Sequence, residues 1–274
     1  HVNPSTSFNK VEAYNPITDS WSVKANLSET SFGQATTSFD SKIYVMGGYD
    51  LSKVEIYDPS SNQWSLGSQI PIATRYASSV SLNSKIFILG GRQSPNTILN
   101  KVYSFDSVQN SWTEKAHLQT PRSGHRSVVF NGQIWVIGGS NLSDVFKSVE
   151  IYDHVNDAWS YGPDLKINRQ GFSCWTWGNK LFLAGGFNET GILDSIEVYD
   201  NDSASWKLYG TLPTPNRYSM ATVLNNKIYL YGGEINDAVY SNKLYAADLN
   251  ASVSGVFDLY RKDGNASSGV PTVQ

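Results

Sequence analysis

Paired glycines recur along the chain at a nearly constant interval of 43 to 48 residues. A tryptophan series keeps the same spacing, and an aromatic residue lies seven positions before each tryptophan. Such self-similarity indicates one supersecondary unit copied several times, and it constrains the fold before any local prediction. The pairs are Gly47-Gly48, Gly90-Gly91, Gly138-Gly139, Gly185-Gly186 and Gly232-Gly233; the tryptophans are Trp21, Trp64, Trp112, Trp159 and Trp206; the aromatics are Tyr14, Tyr57, Phe105, Tyr152 and Tyr199.

One copy of the unit, residues 169–209, contains four short β-rich runs separated by Gly, Asn, Asp and Ser, without helical periodicity. The runs predict strands at Arg169–Trp175, Lys180–Ala184, Ser195–Asp200 and Trp206–Tyr209. Four antiparallel strands per copy make one blade, and blades arranged radially make a β-propeller, which leaves only short sheet edges. The sequence therefore predicts an all-β propeller in which the aromatic rings fill the space between neighbouring blades.

The repeated pattern resembles the kelch repeat: a Gly-Gly pair, a variable loop, Val-Glu-x-Tyr-Asp, six residues and a Trp. It is clearest at Val54–Asp58 with Trp64 and at Val149–Asp153 with Trp159. The resemblance extends over most of the chain, and it implies a kelch β-propeller.

The repeats predict one propeller domain over residues 1–260, followed by a tail or closing strand at 261–274. The first copy, an N-terminal half-blade at residues 9–26, has only a third and a fourth strand. We expect six blades with a truncated or irregularly closed first blade, and five blades is the alternative. The fuller blades are predicted to begin near Ser31, Arg75, Arg122, Arg169 and Arg217.

Composition limits the choice of partner and compartment. The chain has 274 residues and a net charge of −3, which gives no reason to expect nucleic acid as a partner. No run of 18 apolar residues exists, so no membrane span is expected. One cysteine, few lysines and six glycosylation sequons slightly favour an exported protein over a cytoplasmic one, although the compartment stays open. The sequons begin at Asn26, Asn141, Asn188, Asn201, Asn250 and Asn265.

Four arginines stand where the first strands are predicted to begin, next to aromatic and hydroxyl residues. Arginine donors grip carboxylates bidentately, and arginine with tyrosine is typical of binding surfaces. In kelch proteins that bind acidic peptides, arginines at this place in the repeat make the contact, so the resemblance implies that role here. The alternative is structural, because a residue repeated in every blade also suits architecture. The candidate binding residues are Phe32, Arg75, Tyr76, Arg122, His125, Arg126, Arg169, Gln170, Arg217 and Tyr218.

Some kelch propellers are enzymes, and the residues their chemistry needs are sparse here. The four histidines lack the spacing of a copper or iron site, and no Ser/His/Asp set can be placed together. We therefore expect no catalytic residue, no metal site and no cofactor, although whether the protein is an enzyme stays open.

The sequence thus favours a non-catalytic, protein-binding scaffold that takes a protein, an acidic peptide or a glycan at an arginine- and aromatic-bearing face. The alternative is a carbohydrate-binding propeller, or one similar to kelch-type sialic acid mutarotases, which need only arginines and acids around the channel. A third possibility is a spacer or adhesion module within a longer exported protein.

Overall fold

A computed structural model describes residues 8–237, 239–249 and 260–262. Outside these residues lie two of the sequons, at Asn250 and Asn265, most of a fourth strand that the sequence suggests at Val256–Tyr260, and the rest of the predicted tail. Within the described part, the chain divides into two compact units. Every regular element there is a strand, and no helix is present that is long and apolar enough to cross a membrane.

The first unit comprises the residues up to Asp144 together with Glu150–Tyr161. It holds three four-stranded antiparallel sheets, β3-β4-β5-β6, β7-β8-β11-β12 and β13-β14-β15-β16, and the hairpins β1-β2 and β9-β10. The strands are β1 (Val11–Asn15), β2 (Ser20–Lys24), β3 (Ala35–Phe39), β4 (Lys42–Met46), β5 (Val54–Asp58), β6 (Gln63–Leu66), β7 (Ser78–Leu82), β8 (Lys85–Leu89), β9 (Arg92–Gln93), β10 (Thr97–Ile98), β11 (Val102–Asp106), β12 (Ser111–Lys115), β13 (Arg126–Phe130), β14 (Gln133–Ile137), β15 (Val149–Asp153) and β16 (Ala158–Tyr161).

The second unit comprises Val145–Val149 and the described residues from Gly162 onward. Its sheets are β17-β18-β21-β22 and β23-β24-β27-β28, with the hairpins β19-β20 and β25-β26. The strands are β17 (Ser173–Trp177), β18 (Lys180–Ala184), β19 (Phe187–Asn188), β20 (Gly191–Ile192), β21 (Ser195–Asp200), β22 (Ser205–Thr211), β23 (Met220–Leu224), β24 (Lys227–Tyr231), β25 (Glu234–Asn236), β26 (Val239–Tyr240), β27 (Leu244–Asp248) and β28 (Tyr260–Lys262).

The described residues therefore form five complete four-stranded blades, which is the alternative blade count, and the prediction of all-β blades is confirmed. The six-bladed preference is not met, because the N-terminal half-blade appears only as the two-stranded sheet β1-β2. The fourth strand of the last blade is β28, which pairs with β27 and extends into the segment predicted as a tail or closing strand.

The paired glycines end each second strand where another chain segment passes very close. Gly90 and Gly91 have φ of 58° and 100°, in the left-handed region that side chains disfavour. A Cβ on Gly90 would lie 2.7 Å from the Arg122 carbonyl oxygen. Both the conformation and the close approach therefore require glycine here.

The tryptophan series joins each blade to the segment before it. The indole N–H donates to a backbone carbonyl between blades: Trp64 to Ala25 at 2.8 Å, Trp112 to Ser68 at 2.9 Å, Trp159 to Ala116 at 2.8 Å and Trp206 to Pro163 at 3.0 Å. Each ring also packs on its partner aromatic, with centroids 4.8 Å apart for Tyr152 and Trp159. The predicted role of these rings at blade junctions is confirmed.

The first strand of each blade begins later than the sequence pattern predicts. In the fourth blade, β17 begins at Ser173, although the pattern placed the strand from Arg169. The reason is Gly171, whose φ of 61° turns the chain, while Gln170 makes a single bridge with Phe187. The arginines therefore lie in the approach to the first strand.

Candidate functional site

The four arginines occupy two different structural positions, so the prediction that they share one repeat position is wrong. Arg122 and Arg169 donate from Nη1 to the carbonyl of the first paired glycine 16 residues later, at 2.9 and 2.7 Å. In two other blades, Thr74 and Asn216 make the equivalent bonds, to Gly90 at 3.1 Å and to Gly232 at 2.9 Å. Arg75 and Arg217 come one residue later in their blades.

Arg122 and Arg169 are fully buried and form ion pairs inside their own blades. Arg122 Nη2 lies 2.7 Å from Glu150 Oε1, and Arg169 Nη2 lies 2.8 Å from Glu197 Oε1, with all four side chains inaccessible. Burial lowers the pKa of both guanidiniums, opposed by the partner carboxylate. These two arginines have the structural role that was the alternative in the sequence, and neither is placed to touch a ligand.

The Glu150 and Glu197 carboxylates also accept backbone hydrogen bonds from the segment that enters the blade. Glu150 accepts from Gln119 N at 2.7 Å and Thr120 N at 3.1 Å. Glu197 accepts from Lys166 N at 2.8 Å and Ile167 N at 3.1 Å. Each ion pair therefore joins the incoming segment, the third strand and the glycine pair of one blade.

His125 is a buried core residue. A Cβ added to Gly90 would lie 2.9 Å from Cε1 of the His125 ring. A Cβ added to Gly139 would lie 2.7 Å from the Cβ of His125. Burial, followed by the positive charges of Arg122 and Arg126, lowers the pKa of His125 to about 3. The imidazole is thus neutral at ordinary pH. Arg126 begins β13 and is half-buried.

Three of the remaining predicted residues of the first unit, Phe32, Arg75 and Tyr76, lie together with Tyr49 and Arg92, and we call these five residues the Tyr49 cluster. The Arg75 guanidinium carbon lies 4.4 Å from the centroid of the Tyr49 ring. The Phe32 centroid is 5.2 Å from that of Tyr49 and 6.2 Å from that of Tyr76. Backbone bonds of 2.9 and 2.8 Å join Arg75 and Arg92 in both directions.

Asp50 supplies the one carboxylate that forms an ion pair with a guanidinium of the Tyr49 cluster among the described residues. Arg75 Nη1 is 3.6 Å from Asp50 Oδ1, which is beyond hydrogen-bond range. Among the described residues, Arg75 Nη1 and Arg92 Nε have no hydrogen-bond partner although both atoms are buried. Burial raises the pKa of Tyr76, and the two arginines oppose that rise. The cluster therefore combines excess positive charge with unused donors.

Tyr76 also has an unusual backbone. Its φ is 55°, at a position where Gly33, Gly124 and Gly171 stand in three other blades. Its ring covers Gly33, where a Cβ would lie 3.2 Å from Cδ1, and its N–H donates to the Gly33 carbonyl at 2.7 Å. Non-glycine residues in this region cost conformational energy and occur preferentially at functional sites.

The second unit has its own arginine–aromatic cluster, which we call the Tyr218 cluster: Gln170, Phe187, Arg217, Tyr218 and Glu234. The Phe187 and Tyr218 centroids are 5.4 Å apart, and the Arg217 guanidinium carbon is 5.0 Å from the Phe187 centroid. Tyr218 has a φ of 60° and is 42% exposed. Gln170 is half-buried and bridges Phe187 through the backbone.

Arg217 differs from Arg75 in its carboxylate partners. Its Nε and Nη2 bind the Glu234 carboxylate at 3.1 and 2.8 Å, and Nη2 also binds Asp237 at 3.0 Å. The hydrogen bond to Glu234 raises the pKa of Arg217. The charge of Arg217 is thus already balanced within the unit.

Sequence reasoning missed Tyr49, Arg92 and Phe187, although a signal was present. Each directly follows a glycine pair. In four blades the residue after the pair bridges the approach to the first strand, as Arg92 does with Arg75. The spacing from arginine to glycine pair likewise separates Arg122 and Arg169, which bind a glycine carbonyl, from Arg75 and Arg217, which lie over aromatic rings.

No group of three or more His, Cys, Asp or Glu residues in the described ranges is arranged to hold a metal ion. The Tyr49 cluster consists of guanidiniums and aromatic rings, which suits recognition of an anion or a π-face, whereas the Tyr218 cluster also contains the Glu234 carboxylate.

Comparison with known proteins agrees with this architecture. The family model of the KLHDC2/KLHL20/DRC7 kelch-repeats domain matches residues 33–208, more than half of the chain. No curated protein matches the sequence. A solved structure described as the structure of YjhT superposes with a TM-score of 0.77 and 14% identity, over 94% of this chain and 97% of that one. At that identity the likeness shows the fold alone. The expected kelch β-propeller is confirmed.

Proposed function

We propose that this chain, which belongs to the kelch-repeat family, is a non-catalytic binding module that holds an acidic segment of a protein partner. The kelch propeller commonly serves as a protein-interaction module. The observation that carries the proposal for this chain is the Tyr49 cluster, where Arg75 keeps an unused guanidinium donor beside exposed aromatic surface.

A partner's carboxylate at hydrogen-bond distance would supply the acceptor that Arg75 Nη1 lacks. A buried donor without a partner costs about 1–3 kcal/mol, and a charged acceptor recovers that cost. Tyr49 stacks on the Arg75 guanidinium, is 41% exposed and lies on the variable loop after β4. We expect this ring to swing aside, so that an acidic side chain reaches Arg75 while Phe32 and Tyr76 contact its apolar neighbours.

The Tyr218 cluster has a different expected role in the same function. Since Glu234 and Asp237 already neutralise Arg217, this cluster has little attraction for an anion. Its exposed Tyr218 and half-buried Phe187 supply aromatic contact area, which is common at protein-binding surfaces. Arg217 thus provides a matched control for Arg75.

The test is a titration with labelled peptides followed by fluorescence anisotropy. The probes are a peptide of alternating Glu and Leu and its counterpart with Gln in place of Glu. We expect the Glu peptide to bind more tightly, and Arg75→Ala to weaken that binding about tenfold, equivalent to about 1.4 kcal/mol. Arg75→Lys keeps the charge but loses the planar stacking, so it should also weaken binding.

Arg217→Ala is the control, and it should leave the preference for the Glu peptide unchanged. Equal affinity for the two peptides, or full binding by Arg75→Ala, would contradict the proposal. A parallel titration with N-acetylneuraminic acid addresses the carbohydrate alternative. Binding of that sugar without binding of the Glu peptide, lost in Arg75→Ala, would replace the protein-partner function by the carbohydrate one.

A further inference from the structure

Arg75 and Arg92 lie directly opposite each other in an antiparallel bridge. Each backbone N–H donates to the carbonyl of the other residue, at 2.9 and 2.8 Å, so the two side chains leave the backbone on the same face. Like charges at directly opposed positions of an antiparallel pair repel each other and destabilise the pair. The bridge therefore holds two guanidiniums side by side at a cost in folding free energy.

The equivalent bridges of three other blades hold no pair of like charges. These bridges join Ser123 with Ser140, Gln170 with Phe187, and Arg217 with Glu234. In the last of them the Arg217 guanidinium binds the carboxylate across the bridge at 2.8 Å. The chain thus offers a direct comparison, because Arg217 faces a carboxylate and Arg75 faces a second arginine.

The charges of Arg75 and Arg92 are only partly balanced by the described residues. The Asp50 carboxylate lies 3.6 Å from Arg75 Nη1, and its side chain is 46% exposed to water. Arg92 Nη2 donates to the amide oxygen of Asn96, which carries no charge. Within the described ranges, Arg75 Nη1 and Arg92 Nε are buried without a hydrogen-bond acceptor. Two cations therefore share one exposed carboxylate, and each keeps an unused donor.

The two charges converge near the Tyr76 hydroxyl. Both guanidiniums oppose the rise that burial causes in the pKa of Tyr76. Arg75 is only 6% exposed and stacks on the half-exposed ring of Tyr49. An anion that displaces this ring would therefore meet both arginines, and the Tyr76 O–H could donate to it as well.

The number of charges and donors distinguishes between possible anions. A carboxylate carries one negative charge, which balances one guanidinium. The phosphoryl group of a phosphorylated side chain carries a charge of about −1.5 to −2 at pH 7 and has three strong acceptor oxygens. Each arginine can bind such a group through two parallel hydrogen bonds. A phosphoryl group therefore matches the arginine pair better than a carboxylate does.

We propose that the Tyr49 cluster binds a phosphorylated side chain within the acidic segment of the protein partner. Arg75 and Arg92 bind the phosphoryl oxygens together, and the Tyr49 ring turns away from Arg75 to admit them. Clusters of arginine are a recurring means of recognising phosphorylated motifs. The inference rests on the proposed function, because it specifies the anion that the partner presents.

The probes are three labelled peptides with flanks of alternating Gln and Leu, and with phosphoserine, glutamate or serine at the central position. Fluorescence anisotropy measures their affinities for the whole chain above the second phosphate pKa of about 6. We expect the phosphoserine peptide to bind about tenfold more tightly than the glutamate peptide, equivalent to about 1.4 kcal/mol. The glutamate peptide should in turn bind more tightly than the serine peptide.

Arg92→Ser, which copies Ser140 of the next blade, is the decisive variant. It removes the second cation, so the advantage of phosphoserine over glutamate should fall from about tenfold to about twofold. Its Tm should not fall, because the repulsion across the bridge is removed with the side chain. Lys85→Ser is the matched control. It removes a cation at the opposite end of β8 from the glycine pair, and it should retain the tenfold advantage.

The three peptides separate failure of this inference from failure of the proposed function. Phosphoserine binding no tighter than glutamate binding, with both above serine, would overturn the inference and leave the acidic-segment function intact. Equal binding of all three peptides would contradict both. An unchanged phosphoserine advantage in Arg92→Ser would also overturn the inference. Inorganic phosphate that competes as strongly as the phosphoserine peptide would replace the peptide ligand by a free anion.

Discussion

His125 shows how a single side chain acquires its properties from its surroundings. In sequence it stood among arginines, which suggested a place at the binding face. In the structure the residue is fully buried, with its ring beside Gly90 and its Cβ beside Gly139, and the nearby charges are those of Arg122 and Arg126. Both burial and like charge favour the neutral imidazole, so the residue belongs to the core.

The buried histidine predicts an acid-dependent loss of stability. Below the unfolded pKa of 6.5 the unfolded chain binds a proton that the folded chain, with a pKa of about 3, does not bind. The free energy of unfolding then falls by up to about 1.4 kcal/mol per pH unit as pH decreases from 6.5 towards 3. His125→Phe, which copies Phe172 at the equivalent position, should lose about 2 kcal/mol less than wild type between pH 6.5 and 5.

Urea denaturation at a series of pH values measures this difference. His154→Ala, at an exposed turn, is the control and should follow wild type. An equal pH slope in His125→Phe and wild type would show that His125 is not the group responsible.

At the scale of the blade, the buried arginine–glutamate pair is one of several ways to bind the carbonyl of the first paired glycine. Where Arg122 and Arg169 stand, the residue opposite the second strand is Glu150 or Glu197. Where Thr74 and Asn216 take the arginine position, tyrosines take the glutamate position: Tyr103 opposite Ile88 and Tyr245 opposite Leu230. The first complete blade differs again: Ser31 takes the arginine position and Glu55 the glutamate position. The buried Glu55 carboxylate lies 3.7 Å from Lys53 Nζ instead of a guanidinium.

Glu150 and Arg122 should therefore show strong energetic coupling. Arg122→Met leaves a buried carboxylate unbalanced, and we expect it to cost about 3–5 kcal/mol, with a similar loss for Glu150→Gln. The double variant should lose clearly less than the two single losses added, and a double-mutant cycle from chemical denaturation measures the difference. Lys101→Met, which breaks the exposed pair with Glu114, should change stability little. Simple additivity of the two losses at Arg122 and Glu150 would contradict the coupling.

At the scale of the whole chain, the same residue type at the same blade position meets different surroundings. Ile134 is buried against the preceding blade, whereas the Ile43 side chain is 41% exposed. Ile134→Ala should cost about 2–5 kcal/mol, because it leaves a cavity in a closed core. Ile43→Ala should cost less than half as much, since water already reaches that side chain.

Denaturation of the two variants under identical conditions checks this pair. Equal losses in the two variants would contradict the prediction. The last blade, in the second unit, shows a similar exposure by itself: Tyr231 is 40% exposed, although its equivalents Met46, Leu89, Ile137 and Ala184 are inaccessible.

The sequence by itself determined the repeat, the four-stranded blade and the junctions made by paired glycines and tryptophans. These features depend on local backbone conformation and on aromatic rings at fixed spacing, so they can be predicted from the sequence of any single copy. The second and third strands of the fourth blade were predicted at their observed bounds, Lys180–Ala184 and Ser195–Asp200.

Only the tertiary structure decided what each arginine does and which side of the first complete blade is uncovered. A shift of one residue along the approach to the first strand changes the partner of the guanidinium, from the Glu150 carboxylate at Arg122 to the Tyr49 ring at Arg75. Burial and the presence of a carboxylate are properties of packing between segments far apart in sequence, and no repeat pattern encodes them directly.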